Sequence, residues 1–159
     1  MGREIRQVPP GWEHPKDARG EYIPLLDGDY ETAAEAWVNN CVLWSRGEHP
    51  DQIDGSGVKY RFFWEWADTP PRKEEYRPRW AADEATHFQI YETVSEGTPT
   101  SPVFETRAEL ARWLVGQGHS AAAAGAFAVS GYAPSMVMTG GRLYMGIDAA
   151  AVLQEGEPK

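Results

Sequence analysis

A chain of 159 residues has the length of one domain and can bury about two thirds of its unfolded surface around a single core. Hydrophobic residues at 42% and aromatics at 12% exclude a disordered tail, while 24 acidic against 15 basic residues, a formal charge of −9, argue against binding phosphate backbones or anionic membranes. The one cysteine, Cys41, allows no intrachain disulfide or cysteine zinc cage. A polar start and the lack of any apolar run near twenty residues lead us to expect a cytoplasmic protein without a membrane span.

In chain order, Pro9, Pro10, Pro15 and Pro24 with Gly11, Gly20 and Gly28 break regular structure, so residues 1–28 are expected to form an irregular arm anchored by Trp12, Tyr22 and Leu25. From Asp29, a stripe of Tyr30, Ala33, Ala34, Trp37, Val38, Cys41 and Trp44 has helical spacing, with Asp29 as its cap and Gly47 as its end. Val58, Tyr60, Phe62, Trp64 and Trp66 alternate with Lys59, Arg61, Phe63 and Glu65, the period of a half-buried strand. Residues 67–84 read as an exposed, proline-rich loop pinned by Tyr76 and Trp80.

A second alternation places Phe88, Ile90 and Val94 on one face and His87, Gln89, Tyr91 and Thr93 on the other, predicting a strand that turns at residues 95–102. Thr106 and Glu109 form a capping box before the stripe Leu110, Trp113 and Leu114, and the alanine-rich stretch 120–130 is expected to be helical despite Gly125. Met136-Val137-Met138 and Leu143-Tyr144-Met145 flank Gly140-Gly141 as a hairpin, and residues 154–159 read as a loose tail. The whole is an expected single α+β domain, a small antiparallel sheet packed with two or three helices and long irregular loops.

Glycine-rich phosphate loops, dinucleotide fingerprints, paired-histidine zinc helices and calcium loops are absent, so no cofactor is expected. The repeated tripeptides Glu13-His14-Pro15 and Glu48-His49-Pro50 could bring imidazoles and carboxylates to one metal ion. Histidines before proline in charged loops are more often solvated, and no metal is assigned. His87, Tyr91, Glu92, Ser95, Glu96, Thr98 and Ser101 crowd polar groups about one strand and its turn, enough to line a ligand pocket. Ordinary turn chemistry accounts for the same hydroxyls.

Tyr91-Glu92-Thr93-Val94-Ser95-Glu96-Gly97-Thr98-Pro99 followed by Ser101-Pro102, with Gly11-Trp12-Glu13-His14-Pro15, Glu109 to Leu114 and Ala133-Pro134-Ser135, resembles a family of small phage and prophage proteins of unknown function. The resemblance implies a phage or prophage gene expressed in a bacterial cytoplasm and assigns no catalytic residue. The first expectation is therefore a noncatalytic accessory protein. Its partner, a host or phage macromolecule such as a nucleic-acid enzyme or defence component, would meet Asp29, Glu31 and Glu35 with Trp12 and Trp80 as aromatic anchors, without direct nucleic-acid contact. The alternative is a small-molecule-binding protein or enzyme with a polar pocket beside residues 95–102, and a homo-oligomeric structural component is a third possibility.

Overall fold

The computed structural model describes residues 1–57, 59–67, 69–93 and 97–155. Its elements are β1 (Arg3–Val8), α1 (Tyr30–Arg46), α2 (Pro50–Ile53), α3 (Phe63–Trp66), β2 (His87–Glu92), α4 (Arg107–Gly116), α5 (Ala121–Ser130), β3 (Tyr132–Ala133), β4 (Met136–Thr139), β5 (Arg142–Met145) and α6 (Asp148–Glu155). The fold is α+β. The chain divides into two compact units, residues 1–24 with 79–159, and residues 25–78.

The larger unit is built on an antiparallel sheet of order β2-β1-β3. β1 is its central strand, so the arm expected over residues 1–28 is irregular only after Val8. The sequence Arg-Glu-Ile-Arg-Gln-Val concealed the strand because its charged residues look solvent-facing. Both arginines find partners within the sheet: Arg3 pairs in register with Glu92 and bonds its carboxylate at 2.5 Å, while Arg6 is buried, contacting Glu4 and lying over the Tyr91 ring. Paired and ring-covered guanidinium groups can be buried at a cost that isolated charges could not meet.

α4, α5 and α6 supply the core. The capping box forms as the sequence implies, with Thr106 Oγ1 accepting from Glu109 N–H and the Glu109 carboxylate accepting from Thr106 N–H. α5 buries Ala123, Ala124, Ala126, Phe127 and Ala128, so most of its circumference faces protein. Small alanine side chains let Leu110, Leu114, Ile90, Ile147 and Ala150 close around Phe127, which has no exposed surface. The hairpin β4-β5 turns on Gly140 and Gly141, both at the positive φ that such a tight connection requires. Gln154, expected in a loose tail, belongs to α6, and its amide donates to Ala126 O at 3.4 Å.

The smaller unit is organised by aromatics. Asp29 caps α1 by accepting from Thr32 N–H, and Gly47 ends it in the left-handed region. Of the expected stripe, Trp44 is fully buried and Val38 is 60% exposed. The strand expected from Val58 to Trp66 does not form over residues 59–66; Val58 lies outside the described residues. The Glu65 carboxylate accepts from the amides of Arg61 and Phe62 and winds the chain into α3 instead. This reverses the expected faces, because Phe63 is buried while Phe62 and Trp64 are exposed and stacked on each other at 4.4 Å. Between Pro71 and Arg77 a 3-10 turn at Lys73–Glu75 carries Tyr76 against Tyr30, and Leu26 bonds the backbone on either side of Tyr76. Among the described residues no helix is long and apolar enough to cross a membrane.

Candidate functional site

The larger unit contains an open cleft of about 760 Å³ beside the segment 99–103. β2 creates it. Phe88 and Phe104 exchange backbone hydrogen bonds at 2.8 Å, Thr100 N–H donates to Ile90 O and Glu92 N–H to Thr98 O, so residues 98–104 run antiparallel along β2. The ladder is interrupted at Ser101, whose hydroxyl replaces a backbone acceptor by taking the Ile90 N–H at 2.9 Å and donates to Pro102 O at 2.8 Å. Pro99 and Pro102 have no N–H to offer a further strand, and both line the cleft with Thr100, Ser101 and Val103.

The opposite wall is the stretch Trp12 to Lys16 with Tyr22. Ile23 N–H bonds to Pro15 O and Asp17 N–H to Glu21 O, folding this stretch back on itself. Trp12 packs edge-on against Trp80 with centroids 4.8 Å apart, and its indole N–H donates to the Tyr91 hydroxyl at 3.0 Å.

Beneath the cleft lies a hydrogen-bonded floor whose directions follow from valence. The Gln89 amide donates to Ser101 O at 2.9 Å, which turns its oxygen toward the Tyr91 hydroxyl, a donor to it at 3.0 Å. His14 is buried, and its Nε2 must donate to Ile23 O at 2.7 Å because a carbonyl can only accept. In the neutral ring Nδ1 carries no proton and lies 3.4 Å from the Tyr91 hydroxyl, whose single proton goes to the nearer Gln89 oxygen. Burial, the largest cause, lowers the His14 pKa from its ordinary value; the Ile23 carbonyl opposes this, and the Arg6 guanidinium adds to the lowering. His14 is therefore neutral at pH 7.

Gly97 fits this site for a second reason besides its positive φ: a β-carbon there would stand 2.5 Å from an Arg6 guanidinium nitrogen. Ser101 Oγ has both a donor and an acceptor partner, and both nitrogens of His14 face internal groups, so neither is poised as nucleophile or base toward the cleft.

The ligand residues expected from sequence separate. Ser101 lines the cleft and Tyr91 lies under it. Glu92 is paired with Arg3, His87 bonds Thr86 Oγ1 at 3.1 Å, and Thr98 contributes its carbonyl to the ladder. Ser95 and Glu96 fall outside the described residues. Of the partner residues, Trp12 and Trp80 pack together in the larger unit. Asp29, Glu31 and Glu35 belong to the smaller one, where Asp29 Oδ2 is engaged by Thr32.

Gln89, Lys16, Tyr22 and Pro99 were not expected in the site. The signal was partly legible, since the alternation already put Gln89 and Tyr91 on one face of β2. The expectation that His14 and His49 are solvated is overturned, both being buried. Each finds a hydrogen bond, His14 to Ile23 O and His49 as the cap of α2, which makes burial of an imidazole tolerable. The two lie in different units, and no three His, Cys, Asp or Glu side chains gather as a metal site among the described residues. The chain matches no protein-family model, no curated protein and no solved structure.

Proposed function

We propose that the protein is a noncatalytic binding module whose cleft beside residues 99–103 takes a small amphipathic organic ligand. The observation that carries this reading is the combination of an aromatic and proline-lined opening with a floor whose polar groups are already ordered by one another. Pre-ordered walls reduce the entropy lost on binding, and apolar walls with few polar groups are what small-molecule sites present.

A thermal-shift screen of small organic molecules tests it, because a ligand at about 100 times its Kd adds about 2.7 kcal/mol. Pro102→Lys, placed on an exposed residue of the wall, should abolish the shift while leaving the melting temperature of the free protein unchanged. Hits that survive this substitution would place binding elsewhere and sink the reading.

A second reading, docking of a host or phage macromolecule as a phage accessory protein, is favoured by one feature of α1. Glu31, Glu35, Val38 and Val42 recur at intervals of four, three and four, and all are exposed, a mixed acidic and apolar helical stripe. Glu31→Lys with Glu35→Lys should remove a partner recovered from host lysate at low salt. Unchanged recovery would exclude the stripe.

A further inference from the structure

We propose that the cleft selects a ligand bearing an ammonium or guanidinium group, which stands on the face of Tyr22 with Glu13 as its counter-charge. This rests on the binding reading above and adds to it the sign of the ligand's charge.

The Tyr22 ring already holds a cation. Lys16 Nζ lies 4.8 Å from its centroid, within the distance at which the negative face of an aromatic ring attracts positive charge. Lys16 and Tyr22 are antiparallel bridge partners, so the backbone beneath both is set by hydrogen bonds, and the Tyr22 ring also meets the buried His14 edge-on at 5.5 Å, a contact that does not depend on Lys16. Both side chains are exposed, which makes the contact weak and exchangeable. The geometry is that of a cation subsite filled by the wall's own side chain.

The surrounding charges agree. Glu13 lines the cleft, whereas the nearby Asp17 carboxylate is turned to the amides of Arg19 and Glu21. His14, between Trp12 and Tyr22, is neutral and does not repel a cation. The same unit uses this pairing in its interior, where the Arg6 guanidinium carbon sits 4.6 Å from the Tyr91 centroid. A chain of charge −9 also concentrates cations near its surface and depletes anions.

Lys16 has opposite roles for opposite ligands, competitor for a cation and partner for an anion. An NMR titration of the Trp12 indole N–H with benzylamine, benzyl alcohol and benzoate uses this difference. Benzylamine is expected to bind best, Lys16→Met to strengthen it, Glu13→Gln to weaken it, and Tyr22→Leu to weaken it by about two- to fivefold, the worth of an exposed cation–aromatic contact. Benzoate binding best and failing in Lys16→Met would overturn the inference. Benzyl alcohol matching benzylamine in every variant would overturn it too, while leaving the cleft itself as a binding site. No shift with any of the three would remove both.

Discussion

His14 and His49 stand in the same tripeptide, each between glutamate and proline, and both are buried, yet they serve opposite kinds of structure. His14 belongs to a polar floor, tied to a backbone carbonyl and facing a tyrosine hydroxyl that also bonds Trp12 and Gln89. His49 belongs to an aromatic cluster. Its ring lies 5.3 Å from Trp44 and 5.2 Å from Phe63, and its Nδ1 accepts from Asp51 N–H to start α2. The smaller unit is thus held by ring packing, whereas the wall and floor of the cleft are held by directed hydrogen bonds.

Two substitutions and a pH titration test this contrast. The largest effect is expected at Trp44, buried against Phe63 and Trp66, with its indole N–H on Tyr60 O at 3.2 Å. Trp44→Ala should cost about 3–5 kcal/mol in urea unfolding, the range for truncating a buried aromatic. A loss below about 1 kcal/mol would mean that ring packing does not hold the smaller unit.

Tyr91→Phe keeps the ring under Arg6 and removes only the hydroxyl, leaving the Trp12 indole N–H and the Gln89 oxygen without that partner. It should destabilise by about 1–3 kcal/mol, the cost of stranding buried polar groups. A neutral outcome in urea unfolding would show the floor to be replaceable by apolar contact.

The smallest effect is the pH dependence of His14. Its folded pKa lies below its unfolded value of 6.5, so the unfolded chain binds the proton more readily. Its contribution is fully present above pH 6.5 and is lost as pH falls toward the folded pKa, with a slope of at most about 1.4 kcal/mol per pH unit for one proton. Urea unfolding between pH 5 and 8 should show this slope in the native protein and lose it in His14→Asn. An identical slope in both would assign the titration to other groups.

Much of the local structure was legible. Asp29 and Gly47 bracket α1, Thr106 and Glu109 cap α4, and Gly140-Gly141 turns the last hairpin, because caps and tight turns depend on residues close in sequence. β1 is not legible locally, since Arg3 and Arg6 find their partners Glu92 and Tyr91 far along the chain. The aromatic alternation after Val58 misled, because a single acceptor, Glu65, gathered two nearby amides and converted the period of a strand into a turn of helix.

The α+β class, the caps, the turns and the face of β2 that carries Gln89 and Tyr91 are thus encoded in local sequence. The meeting of Trp12 and His14 with Tyr91 across more than seventy residues, and the course of segment 98–104 along β2, arise only in the folded chain. The physical reason is that hydrogen bonds within a helix turn or hairpin are encoded by near neighbours, whereas a cleft is made by chain segments whose meeting depends on the whole core having closed.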